Sequence, residues 1–80
     1  MEVELAELAA ERRRLDTLLD DALGQFALYE EGMNARMKAA SADEMPALLA
    51  ERARMEDALG IAELVERIDA IRERMIALKG

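Results

Sequence analysis

The chain's only proline, Pro46, follows Ser41, Ala42, Asp43, Glu44 and Met45, and this stretch constrains the fold more than any other. Proline has no N–H and its ring clashes with the preceding turn, so it fits the first turn of a helix and not the middle. Asp43 as N-cap places Glu44, Met45 and Pro46 at the first three helical positions, where N–H groups have no intrahelical partner. Ser41 is the alternative cap, through a Ser-x-x-Glu box with Glu44, but Pro46 then falls one turn in and removes a bond. Helix-forming segments of nearly equal length flank this stretch. The expected fold is all-α: an antiparallel helical hairpin turning at residues 40 to 43, one domain over residues 1–80, with coiled-coil-like packing.

The first segment runs from about Glu2 to Lys38 or Ala39. Leu5, Leu8, Arg12, Leu15, Leu19, Ala22, Phe26, Tyr29, Met33 and Arg36 recur at alternating steps of three and four. Eight of these ten are apolar, which defines a heptad seam. Leu18, Leu23 and Met37 widen the seam into the stripe of a bundle helix, while Leu28 and Ala35 lie off it. Arg12 interrupts the seam, either as a snorkelling side chain or as a register-setting contact to a partner.

The second segment starts at Glu44 and ends near Lys79. Met45, Leu48, Arg52, Met55 and Leu59 form one stripe; Ile61, Leu64, Ile68, Ile71, Met75 and Leu78 form another. The step from Leu59 to Ile61 is two where three or four is due. Either the helix breaks at Gly60, giving a third helix, or its apolar face turns to a different neighbour. No Ser, Thr, Asp or Asn at 59–62 caps a fresh helix, so one continuous or kinked helix is the preferred expectation.

Residues 19–30 align with 55–66 at six of twelve positions, at an offset of 36. Chance in a biased composition accounts for most such echoes, and the marker positions of tetratricopeptide repeats do not line up. A turn near residue 42 sets Gly24 and Gly60 at one level, where two missing side chains would let the backbones approach. It also sets Phe26 and Tyr29 level with residues 55 to 58.

Composition excludes several function classes. Residues 1–40 carry nine acids and five bases, and residues 41–80 carry nine and six, for a net charge of −7. Phosphate neutralisation needs a basic face, so this even acidic balance argues against nucleic acid and anionic membranes as partners. Arg12, Arg13 and Arg14 are hemmed by acids and suit surface pairing. The absence of histidine and cysteine removes zinc sites, Ser-His and Cys-His nucleophiles and the Glu-x-x-His ligands of di-iron bundles. No glycine-rich loop cradles phosphate. Neighbouring carboxylates such as Asp20 and Asp21, or Glu30 and Glu31, point to different sides of a helix. No catalytic residue, metal, cofactor or small-molecule substrate is expected. The lack of cysteine and of a signal-like or membrane-spanning stretch fits a cytoplasmic protein.

A lone hairpin buries one seam, too little to offset the ordering of 80 residues, so a partner helix or homo-oligomer is expected. Four of the six methionines (Met33, Met37, Met45, Met55) flank the turn, and the flexible thioether suits surfaces that adapt to a partner. A gap-filling core near the turn is the plainer account of them. The expected partner-binding residues are Leu28, Met33, Met37, Met45 and Leu49.

Two resemblances bear on function. Residues 64–78, with Arg67, Ile68 and Asp69, resemble the first helix of the all-helical chorismate mutases. In that family a Lys and further Arg follow to bind a dianion, whereas only Lys79 follows here, so no enzymatic role is carried over. Residues 42–59, with Asp43 and Glu44, Leu48 and Leu49, and Glu51 and Arg52, resemble the second helix of flagellar export chaperones. The length is similar to that of the co-chaperones of type III needle subunits. These resemblances imply a non-enzymatic secretion-type chaperone shielding an apolar helix of a client or second chaperone. The competing class is a self-associating hairpin forming a four-helix bundle as an assembly or dimerisation module.

Overall fold

The structure, a computed structural model, describes residues 2–80. Helix α1 spans Glu2–Ala39, α2 spans Met45–Leu59 and α3 spans Ile61–Lys79. Helices α2 and α3 return along α1, so the chain is an antiparallel hairpin with a broken second arm. The molecule measures 57 × 18 × 16 Å, and 38 residues of α1 at 1.5 Å each span that long dimension. Its radius of gyration is 17.7 Å, against roughly 12 Å for a compact domain of this length. It is a rod two helices wide.

Helix α1 forms as the seam predicts. Glu2 and Glu4 occupy its first turn and Arg36 and Lys38 its last, each matched to the sign of the helix dipole. Leu15, Ala22, Phe26 and Met33 are buried, and all four belong to the 3-4 series read from the sequence. Leu5, Leu8, Leu19 and Tyr29 are half-buried, whereas Arg36 is exposed and Met37 takes up the seam's last place. Arg12 is half-buried with Nε 3.8 Å from Asp16 one turn on, so it snorkels into a pair on its own helix.

The turn is wound differently from expectation. Helix α2 begins at Met45, Glu44 occupies the cap position in helical conformation, and no side chain caps an N–H there. The Ser41 carbonyl accepts from the N–H groups of Glu44 and Met45, at 3.1 and 3.2 Å, while Ser41 Oγ donates to the Glu44 carboxylate at 3.1 Å. Ala42 to Glu44 thus form a turn leading into α2 in place of an Asp43 cap, and Pro46 falls at the second helical position.

The preferred expectation of a continuous second arm does not hold. Gly60 adopts φ 70°, ψ 25°, the left-handed conformation that glycine enters without steric cost. Its N–H donates to the Asp57 carbonyl at 3.0 Å, closing α2, and its carbonyl accepts from Leu64 at 3.0 Å, opening α3. One glycine therefore serves as both stop and start, so a polar cap is not needed. The left-handed residue absorbs the two-residue step between the stripes, and both α2 and α3 pack on α1. Gly24 has no such role: it lies exposed within α1, and a Cβ there would meet nothing within 4 Å.

Candidate functional site

Interhelical ion pairs fix how the arms face each other. Along each helix, seam residues occupy heptad positions a and d, flanked on one side by e and on the other by g. In α1 the g positions include Glu4, Glu11 and Leu18, and the e positions include Asp16, Leu23, Glu30 and Met37. In the return arm Glu51, Arg67 and Arg74 take g, and Leu49, Glu56, Val65 and Arg72 take e. Antiparallel helices bring g beside g and e beside e, so the hairpin has two chemically distinct edges.

The g edge carries most of the ion pairs between the arms. Arg74 donates to Glu4 at 2.9 and 3.2 Å, and Arg67 reaches Glu11 at 3.5 Å. Nearer the turn, Glu51 accepts from the Tyr29 hydroxyl at 2.6 Å and from Arg36 at 2.7 Å. The Tyr29 bond, with Arg36 second, holds the Glu51 carboxyl below the ordinary carboxylate value; the same bond, with lesser burial and charge effects, raises the Tyr29 hydroxyl. Glu11 is also lowered, first by its hydrogen bond from Arg14, which joins it from one turn along α1. Between these pairs Leu18, Ala22, Leu59 and Leu64 line an open groove of about 370 Å³ beside Gly60.

The e edge is apolar by comparison. Leu23, Leu49 and Val65 are 45, 47 and 41% exposed, and Met37 is half-buried. One interhelical ion pair crosses toward this edge, between Arg52 and Glu30. The Arg52 guanidinium also lies 5.8 Å from the Phe26 ring centroid, roofing the aromatic part of the core, and Phe26 stacks on Tyr29 at 6.1 Å. Tyr29 and Phe26 therefore sit against Glu51 and Arg52, about one helical turn nearer the loop than the expected residues 55 to 58.

The expected partner-binding residues divide three ways. Met37, Met45 and Leu49 flank the loop on one edge, the first two half-buried and the third exposed. Leu28 is 71% exposed but faces outward on α1, away from the seam and from the other four. Met33 is 1% exposed, a core residue of the seam, as the gap-filling account of the methionines expects. Sequence reasoning missed Val65, and it treated Leu23 only as widening the seam. The seven-residue repeats Glu4/Glu11 and Arg67/Arg74 are the legible signal that the arms pair by charge along the g edge.

Among the described residues, no group of His, Cys, Asp or Glu is arranged to hold a metal ion, and no helix is long and apolar enough to cross a membrane. Comparisons with protein-family models, curated proteins and solved structures find no match. The fold defines a class, the all-α helical hairpin.

Proposed function

We propose that this chain is a non-enzymatic protein–protein interaction module, acting as a small cytoplasmic chaperone or co-chaperone of the secretion type that shields an apolar helix. One observation carries the reading: α2 and α3 contain no fully buried residue, although their stripes are as apolar as that of α1. A helix whose seam is only half covered gains by burying it against a further helix, at roughly 1.5–3 kcal/mol for each large apolar side chain fully buried. The e edge supplies anchors at the spacing by which an amphipathic helix is read in a groove: Leu49 beside Met45 near the loop, Leu23 and Val65 further along. A sequence without histidine or cysteine suits binding better than group transfer.

The test is recovery of proteins bound to the native chain and to the double variant Met37→Asp with Leu49→Asp, with far-UV circular dichroism on both. The reading expects a stoichiometric partner on the native chain, lost by the variant with helicity retained. A bound set that does not change between the two overturns it.

A further inference from the structure

The proposed function leaves the g edge unassigned, and the middle of that edge holds the groove beside Gly60. Leu18 stands 43% exposed on its α1 wall, over a floor of Ala22, Leu59 and Leu64. Gly60 and Ala58, on the return arm, put little side chain into its volume of about 370 Å³. The Glu11–Arg67 pair bounds one end, and the cluster around Glu51 lies beyond the other.

The rim is acidic. Asp21 on α1, which accepts from Gln25 at 3.1 Å, and Glu63 on α3 line the groove. Neither is in an ion pair among the described residues. They belong to a wider belt: residues 15–35 and 55–66 contain nine acids and no lysine or arginine. Arg12 and Arg52 reach in to hold Asp16 and Glu30, which leaves seven of the nine without an ion pair among the described residues. A second copy docked groove to groove would set belt against belt, acid facing acid. The complementary occupant is apolar at its contact and basic on its flanks. Its spacing follows from the register. Glu11 pairs with Arg67, so Glu63 stands level with residue 15, six residues or about 9 Å along the rod from Asp21. On a helix, bases at i and i+5 flank apolar residues at i+1 and i+4 on opposite sides and lie about 7.5 Å apart along the axis. We infer that the groove beside Gly60 receives a helix of another protein with this basic–apolar–apolar–basic pattern. Its apolar pair packs on Leu18 and Leu59, and its bases reach Asp21 and Glu63.

The experiment is an NMR titration of the isotope-labelled full chain with three synthetic helices on one alanine-rich scaffold. The first carries Lys-Leu-Ala-Ala-Leu-Lys at its centre, the second has glutamate for lysine, and the third has alanine for leucine. The first should bind saturably, with Kd below about 1 mM, and shift amides of residues 18–25 and 58–67. The other two should bind at least tenfold more weakly, and added salt should weaken the first. Asp21→Lys with Glu63→Lys, both exposed positions, should cost roughly tenfold in affinity with helicity retained. If that variant fails to fold, Asp21→Asn with Glu63→Gln carries the test, with a loss of about threefold. Met37→Asp with Leu49→Asp should bind the first helix unchanged, which separates this groove from the e edge. An acidic or leucine-free helix that binds as well as the first, or charge changes without effect, overturns the inference. Shifts centred on Met37, Leu49 and Val65 overturn it and leave the e-edge reading standing. No saturable binding by the first helix overturns the groove alone.

Discussion

The Tyr29 hydroxyl donates to the Glu51 carboxylate at 2.6 Å, joining the two arms beside the buried Phe26. The bond needs a neutral phenol and an ionised carboxylate, and the shifts of the two groups follow from that need. Glu51 lies below its ordinary 4.5, so its contribution is present above that value and lost as pH falls through the folded value. Tyr29 lies above its ordinary 10.0, so its contribution is full below that value and lost as pH rises through the folded one. Melting temperature against pH should therefore show a plateau bounded by an acid and an alkaline limb. Tyr29→Phe should shallow both limbs, and Glu51 should titrate nearer its ordinary value in carboxylate-resolved NMR. An unchanged Glu51 titration would show that the bond does not form in solution.

The two glycines of the internal echo should respond oppositely to the same substitution. Gly60 holds φ 70°, and a side chain there costs about 1–2 kcal/mol in the left-handed region even though a Cβ meets nothing. Gly24 is helical, exposed and equally uncrowded, so alanine there removes unfolded-state freedom and adds helix propensity. Urea unfolding should show Gly60→Ala destabilising by about 1 kcal/mol or more and Gly24→Ala stabilising by about 0.5–1 kcal/mol. Equal signs would mean that α2 and α3 fuse into one helix in solution.

Met33 and Leu28, both among the expected partner-binding residues, lie at opposite extremes of burial, and their stability effects should separate them. Met33→Ala empties a closed site and should cost about 2–5 kcal/mol, whereas Leu28→Ala, at 71% exposure, should stay within about 0.5 kcal/mol. Chemical denaturation of the two variants decides it. Similar midpoints would return Met33 to the surface.

The seam from Leu5 to Met33 was legible because heptad spacing is itself the packing rule: the four buried residues are members of the series. Met33 follows the same rule: its burial is that of its place in the series, which outweighs the adaptability of the thioether. The register was less legible, because it depends on how many loop residues are wound. With Ala42 to Glu44 turning into α2, the hinge centres near Ala40 and Ser41, and Tyr29 meets Glu51. Counting from residue 42 displaces every pair toward the open end. The break at Gly60 left its mark in the step from Leu59 to Ile61, but a search for polar caps overlooks a glycine that caps with its own backbone.

The open end tests whether this register persists far from the loop. Arg74 reaches Glu4 through two nitrogens, at 2.9 and 3.2 Å, with the side chains 57 and 44% exposed. Exposed pairs of this kind contribute about 0.2–1 kcal/mol, so either single replacement measures little by itself. A double-mutant cycle with Glu4→Gln and Arg74→Gln isolates the coupling from each residue's other effects. Its expected value is a few tenths of a kcal/mol at low ionic strength, falling as salt screens an exposed pair. The cycle is read from urea midpoints at two salt concentrations. Coupling present at low salt and diminished at high salt means the arms stay zipped to their ends in the observed register. Zero coupling at both would mean that the last turns of α3 do not hold α1.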